Sequence, residues 1–166
     1  MHTPLQRIKS KIFTHYNDPE LLRQLSFYRF KNKKIVFTNG CFDILHKGHV
    51  EYLAKAASLG DVLIVGLNSD ESVKRLKGEH RPVNNQDARS LLLASLAFVS
   101  DVVIFTEDTP LELQKVILPQ VMVKGGDYKA EEIVGYDLVT SKGGQVVIID
   151  MVEGYSTTSI IKKTEI

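Results

Sequence analysis

The sequence of 166 residues contains a single cysteine, Cys41. One cysteine excludes an intramolecular disulfide and is typical of proteins in a reducing compartment. No apolar run approaches the roughly 20 residues that span a bilayer, and the first residues lack the continuous apolar segment of a secretory signal. We therefore expect a soluble, cytoplasmic protein without a membrane segment.

An excess of charge of either sign is also missing, because 21 Lys and Arg residues face 20 Asp and Glu residues, for a net charge of +1. This balance gives no electrostatic reason to expect DNA, RNA or an anionic membrane as a partner. The hydrophobic share of 43% is typical of a globular domain with a core. Any anionic ligand must then be held by a local arrangement of residues.

Short apolar runs alternate with helical patterns from residue 31 onward. Apolar runs of this length indicate strands buried on both faces of a parallel sheet, and they lie at 35–38, 61–67, 101–106, 120–124 and 145–150. The intervening patterns predict helices at 49–59, 69–77, 85–98, 110–117 and 130–141, and a last helix from residue 157. The alternation predicts a Rossmann-like, doubly wound α/β domain over residues 31–166, with a five-stranded parallel sheet and a ligand at the carboxyl ends of the strands.

Residues 1–30 have a different pattern, which predicts an N-terminal helical extension. Leu5, Ile8 and Ile12 have the spacing of one helical face, and Asp18 and Pro19 are typical of the start of a second helix. We expect the extension to pack on the domain or on a partner subunit, and the protein to be a homo-oligomer, namely a dimer.

The segment TNGCFDILHKGH runs from the first predicted strand into a helix. His46 and His49 are three residues apart, so on a helix they share one face of its first turn, where free backbone N–H groups favour anions. Gly40 lets backbone amides approach a phosphate, and Gly48 removes a side chain where a nucleotide would lie. The pattern favours phosphate binding over surface or capping histidines, and zinc binding is the weakest interpretation.

Two later segments have both a functional and a structural interpretation. The cations of KRLKGEHRP suit either a solvated helix end or a clamp for phosphates, in which Lys77 is the foremost candidate. Ser156, Thr157 and Thr158 cap the last helix, and their hydroxyls and free amides also form an anion site.

Acidic residues supply the candidates for binding hydroxyl groups. Asp43 is placed to orient a histidine or a substrate hydroxyl. In VKGGDY the glycines let the backbone contact a base or ribose, while Asp127 either accepts a hydrogen bond from a sugar hydroxyl or closes a turn. The segment EDTP after the third predicted strand is explained by helix-start chemistry alone.

These motifs together resemble one family. HKGH is similar to the HxGH motif of the cytidylyltransferase-like nucleotidyltransferases, and VGLNSDESVKRLKGEHRPV, FTEDTP, VKGGDY and GYSTTSI resemble its heptose 1-phosphate adenylyltransferase branch. The resemblance covers residues 33–163. It implies adenylyl transfer from ATP, with Mg²⁺, to a small sugar phosphate, giving ADP-heptose for lipopolysaccharide core synthesis. Because the domain is fused to a sugar kinase in some members, this chain implies a separate kinase upstream.

The resemblance also implies site residues. His46, His49 and Lys77 would be catalytic, Asp43 and Asp127 would bind substrate, and no side chain is predicted to be a metal ligand. The nucleotide- and phosphate-binding residues would be Asn39, Gly40, Cys41, Phe42, Gly48, Arg81, Arg89, Lys124, Gly125, Ser156, Thr157 and Thr158.

Two other functions remain open from the sequence. The same chemistry with CTP and glycerol 3-phosphate or phosphoethanolamine would use the same motifs. A non-catalytic nucleotide sensor would keep the pocket and lose the turnover.

Overall fold

One parallel sheet forms the centre of the protein, which the computed structural model describes for residues 2–150 and 154–164. Its strands are β1 (Ile12–Phe13), β2 (Ile35–Gly40), β3 (Val62–Asn68), β4 (Asp101–Phe105), β5 (Val121–Gly125) and β6 (Gln145–Ile149). Their spatial order is β1-β4-β3-β2-β5-β6, and every neighbouring pair is parallel. The predicted doubly wound α/β class is confirmed.

Helices connect and cover the strands. They are α1 (Pro4–Lys9), α2 (Pro19–Phe30), α3 (Lys47–Ala57), α4 (Asp70–Lys77), α5 (Gln86–Ser95), α6 (Leu111–Ile117), α7 (Tyr136–Thr140) and α8 (Thr157–Thr164). No helix in the described ranges is long and apolar enough to cross a bilayer. The continuous helix predicted at 130–141 is wrong, because Gly135 adopts φ 91° and separates a short 3₁₀ helix (Ala130–Glu132) from α7.

The sheet has six strands instead of the predicted five. The additional strand is β1, where Ile12 and Phe13 pair with Val102 and Val103 of β4. Ile12 was expected on a helical face, but α1 ends at Lys9. Two residues are too few for an alternating pattern to indicate a strand.

Two apolar layers cover the two faces of the sheet. Alternate residues of a strand face opposite sides, so Val36 packs in the layer with α3 and α5, while Phe37 packs in the layer with α2 and α6. Burying one Leu or Phe side chain contributes about 1.5–3 kcal/mol. The helical side chains buried in these layers include Leu53, Ala56, Leu93 and Ala94 on one face and Leu21, Leu25, Leu113 and Ile117 on the other.

The N-terminal segment is therefore part of both the sheet and its covering layer. β1 extends the sheet, and α2 buries Leu21, Leu25 and Tyr28 against it. The start of α2 follows the predicted chemistry, since the Asp18 side chain accepts a hydrogen bond from Glu20 N and Pro19 occupies the first turn. The division after residue 30 stays a prediction, and the outer ends of the two predicted segments, residues 1 and 165–166, lie outside the described residues.

Candidate active site

A cavity of about 670 Å³ opens at the carboxyl ends of β2, β3 and β5. β2 pairs with β3 on one side and β5 on the other, which makes its end a switch point where the connections leave in opposite directions. Doubly wound sheets bind their ligands at such a point. Asn39 and Gly40 from β2, Asn68 from β3, and Lys124 and Gly125 from β5 line the cavity.

The helix α3 is fixed beneath this cavity by a buried hydroxyl. Tyr52 donates a hydrogen bond to the carbonyl oxygen of Val123 at 3.2 Å, and its oxygen lies 2.6 Å from Thr38 Oγ1. These contacts join α3 to β5 and β2 at once. The first turn of α3, which carries the two histidines, is thereby held at the strand ends.

His46 and His49 form a stacked pair at the start of α3. His46 is the N-cap residue, and its Nδ1 accepts a hydrogen bond from His49 N at 3.3 Å. The ring centroids are 3.7 Å apart, and Phe42 meets the His49 ring edge-on at 5.2 Å. Burial lowers the pKa of His49 to about 4, with the neighbouring His46 adding to the effect, and burial also lowers the pKa of His46. Both rings are therefore neutral at pH 7.

The two histidines occupy different positions relative to the cavity. His49 lines it, whereas His46 is absent from the described lining residues. Because His46 Nδ1 accepts the capping bond, the proton of this neutral ring is on Nε2. His46 thus orients the helix start and the His49 ring.

Gly48 allows the chain to pack closely against α3. A Cβ atom at this position would lie 3.1 Å from the His46 ring and 3.2 Å from Tyr155 Cβ. Lys47 also lies over the Tyr155 ring, with its Nζ 5.3 Å from the centroid. Tyr155 makes a close approach at Gly48 and brings the turn before α8 beside the histidines, while the approach of a nucleotide there stays a prediction.

That turn places two of its three predicted residues on the cavity. Thr157 and Thr158 line it. Ser156 instead caps α8, because Ser159 N donates to Ser156 Oγ at 3.1 Å and Ser156 N donates to Ser159 Oγ at 3.2 Å.

Three cationic side chains, Lys77, Arg81 and Lys124, also line the cavity. Lys77 is the last residue of α4. Lys124 Nζ donates to Asn39 Oδ1 at 3.1 Å, and burial lowers the pKa of Lys124. The cavity therefore combines cations with a helix N-terminus, which is an arrangement that attracts phosphate.

Asp43 holds the loop at residues 81–84. Its Oδ1 accepts from Val83 N at 2.8 Å and Asn84 N at 3.1 Å, and its Oδ2 accepts from Arg81 Nε at 2.5 Å. Within the described ranges it makes no hydrogen bond to either histidine. The predicted orientation of a histidine is therefore wrong, although the carboxylate does lie at the cavity wall.

Arg89 is buried away from the cavity. Its side chain is 0% exposed and bonds to Cys41 O, Asn84 O and Asp70. It is absent from the described lining residues, and its contact with the nucleotide stays a prediction. An arginine in an amphipathic helix has the same sequence pattern whether it points to a ligand or into the protein.

The remaining predicted residues divide in the same way. Cys41 and Phe42 line the cavity, whereas Asp127 is exposed beside it and only its neighbours Gly125 and Tyr128 contribute to the lining.

Nine residues that line the cavity were not predicted. They are Asn68, Leu76, Asp108, Thr109, Pro110, Tyr128, Glu132, Ile133 and Val134. The EDTP segment was explained as a helix cap, but Pro110 occupies the cap position of α6 without a side-chain hydrogen bond, and Asp108 pairs with Arg75 Nε at 2.9 Å. Its position directly after a buried strand was the signal for a site.

No group of three His, Cys, Asp or Glu side chains in residues 2–150 and 154–164 is arranged to hold a metal ion. Mg²⁺ commonly binds through substrate phosphates with few protein ligands.

The fold and the cavity together define a class, the α/β nucleotidyltransferases, in which phosphates lie at a switch point beside a helix start. Residues 37–163 match the family described as cytidylyltransferase-like. The chain belongs to the cytidylyltransferase-like family.

Curated relatives are similar over most of the chain. It is 64% identical over 131 residues to the bifunctional protein HldE of Campylobacter concisus, which covers 79% of this chain and 27% of that protein. It is 62% identical over 133 residues to HldE of a Nitratiruptor species, covering 80% of the chain and 28% of that protein. The chain thus spans under a third of the length of these relatives.

A solved structure has a similar fold. The lipopolysaccharide core biosynthesis protein from Thermoplasma volcanium superposes with a TM-score of 0.60 at 26% identity, covering 75% of this chain and 99% of that one.

Proposed function

We propose that this chain transfers the adenylyl group of ATP to a sugar 1-phosphate, heptose 1-phosphate, and releases pyrophosphate. The observation that carries the proposal is one cavity lined by His49, from the first turn of α3, and by Lys77 and Lys124. The identity of 53–64% to HldE proteins, and the similarity to a lipopolysaccharide core biosynthesis protein, favour this acceptor.

The chemistry requires positioning more than proton transfer. An oxygen of the sugar phosphate attacks the α-phosphorus of ATP in line, the bond from that phosphorus to the α,β-bridging oxygen breaks, and pyrophosphate leaves with the bonding electrons. The attacking phosphate is already an anion, so no general base is needed. Mg²⁺, bound through the phosphates of ATP, would supply positive charge that offsets theirs.

The residues of the cavity then have separate tasks. His49 donates a hydrogen bond to the phosphates near the breaking bond, and the free amides of α3 support the same charge. Lys77 and Lys124 approach from α4 and β5 and neutralise the outer phosphates. Arg81 contributes positive charge to the same phosphates while its guanidinium is held by the Asp43 carboxylate.

Base choice depends on polar groups at the base edge, because stacking and phosphate contacts do not distinguish the bases. A site built to hydrogen-bond one base leaves polar groups unpaired with another. Backbone groups at 123–126 and 155–157 are our candidates for this discrimination. We also propose a homodimer and a sugar kinase activity that supplies the substrate.

A second candidate, cytidylyl transfer to glycerol 3-phosphate or phosphoethanolamine, is favoured only by the description of the matched family.

The test is pyrophosphate release from ATP and CTP with heptose 1-phosphate, glycerol 3-phosphate or phosphoethanolamine as the acceptor, with kcat/KM measured for both nucleotides. We expect turnover with ATP and heptose 1-phosphate, and a lower but still measurable kcat in Lys77→Ala. Equal values or a preference for CTP would overturn adenylyl transfer, and nucleotide binding without turnover for any acceptor would indicate a sensor.

A further inference from the structure

The guanidinium of Arg89 joins three separate segments around the cavity. Nη1 donates to Cys41 O at 2.6 Å, in the loop between β2 and α3. Nε donates to Asn84 O at 3.0 Å, just before α5. Nη2 donates to Asp70 Oδ1 at 2.8 Å, at the first residue of α4. Each segment either lines the cavity itself or begins a helix next to the cavity.

Further bonds join the same segments. Asp43, in the loop between β2 and α3, accepts from two backbone amides and one side chain of the loop at 81–84. Asn84 Nδ2 donates back to Asp43 O at 3.0 Å. A further bond joins the starts of α4 and α5, because Asp70 N donates to Gln86 Oε1 at 3.0 Å. The three segments are therefore connected directly, and Arg89 is bonded to all of them.

Lys77 is the cavity residue most directly affected by this arrangement. It lies seven residues after Asp70 on α4, about two helical turns along. Because Arg89 pairs with Asp70, it sets the position of the helix whose last turn brings Lys77 to the cavity. A guanidinium can form these planar, divergent bonds together, whereas a lysine ammonium on a flexible stem lacks the planar fork.

We infer that Arg89 is a positioning residue for nucleotidyl transfer, acting on the phosphates through Lys77 and the loop between β2 and α3 without contacting the nucleotide. The inference rests on the proposed function for its link to turnover. The dependence of the phosphate contacts on Arg89 can also be measured without turnover, as a change in nucleotide affinity.

The test is a double-mutant cycle of Arg89→Lys and Lys77→Ala, with ATP binding measured by calorimetry and kcat and KM measured separately. We expect Arg89→Lys to lower kcat by about 10-fold or more while the protein remains folded. We expect little further loss, about 3-fold at most, when it is added to Lys77→Ala, because residues that act through one contact are not additive.

Two results would overturn the inference. Losses in ATP binding and kcat from Arg89→Lys that add fully to those of Lys77→Ala would make Arg89 a direct phosphate ligand. A fall in melting temperature with unchanged kcat, KM and ATP affinity of the folded protein would make its role purely structural.

A second variant covers the case in which Arg89→Lys does not fold. Asp70→Asn removes the charged partner at a half-buried site and should show the same non-additivity with Lys77→Ala, whereas full additivity would overturn the inference. The matched control is Asp87→Asn, an exposed carboxylate in the first turn of α5, which should leave binding and kcat unchanged. If the unmodified protein turns over no sugar phosphate, the proposed function fails, and the cycle in ATP binding still decides the role of Arg89.

Discussion

His46 and His49 have different tasks although they belong to one motif. His49 lines the cavity, while His46 caps α3 and stacks on the His49 ring. The low pKa of His49, about 4, keeps the ring neutral across the physiological range. Its contribution to the reaction is then a hydrogen bond in a fixed direction.

Replacing His49 with alanine is expected to lower kcat about 10²-fold or more, because one preorganised donor contributes about 3 kcal/mol to the barrier. We expect His46→Ala to have a similar effect, since His49 loses its stacking partner and α3 its cap. The measurement is kcat for pyrophosphate release, with folding checked by circular dichroism. His15→Ala, at an exposed position outside the cavity, is the control. Near-normal turnover in either site variant would contradict the assigned role.

At the scale of elements, a buried hydrogen bond joins α2 to β4. Tyr28 OH donates to Asp101 Oδ2 at 2.7 Å, and Asp101 is nearly inaccessible to solvent. Burial raises the pKa of Asp101 from 3.8 to about 6, although the Tyr28 bond acts in the opposite direction. Between these two pH values the folded protein holds a proton that the unfolded chain has lost. Stability therefore decreases as the pH rises through this window.

Asp101→Asn should accordingly be stabilising above pH 6, by on the order of 2 kcal/mol, because it keeps an acceptor for Tyr28 and removes the buried charge. The measurement is the free energy of unfolding in urea from pH 4 to 8. Asp61→Asn provides the contrast, since the hydrogen bond from Lys34 N lowers the pKa of Asp61, so this variant should lose stability at neutral pH. An Asp101→Asn protein that is less stable at pH 8 would show that the charge contributes favourably.

At the scale of the whole molecule, β1 and α2 from the predicted N-terminal extension belong to the sheet and the core. The helical pattern of residues 1–30 alone predicts a segment that the nucleotide site can lose. The structure changes this expectation, because β1 covers the edge of β4, and Leu21, Leu25 and Tyr28 are buried against the sheet. Burying three large apolar side chains usually contributes several kcal/mol, on the order of 1.5–3 kcal/mol each, to the free energy of unfolding.

We expect deletion of residues 2–30 to yield a protein that is unfolded or aggregated. Deletion of residues 2–10 should cost much less, since α1 buries none of its residues fully. Thermal denaturation and size-exclusion chromatography of the two truncated proteins are the measurements. A soluble protein lacking residues 2–30 with a near-normal melting temperature would contradict this prediction.

The sequence alone determined the fold class and predicted a centre for the site. Long apolar runs such as Val62–Asn68 identify buried strands because their signal lies within a few consecutive residues. HKGH, a few residues after β2, predicted the end of the sheet at which the cavity lies. These features depend on neighbours along the chain, which a sequence displays directly.

Only the tertiary structure decided which predicted residues meet at the cavity. Arg89 bonds to residues 5, 19 and 48 positions away, and Asp43 to residues about 40 positions away. Helical periodicity places such side chains on a face without saying what covers that face. Likewise β1 exists because β4 offers it an unpaired edge, and a two-residue strand has no pattern of its own. Contacts between distant segments form only after the sheet has brought those segments together, and for that reason they could not be predicted from local sequence.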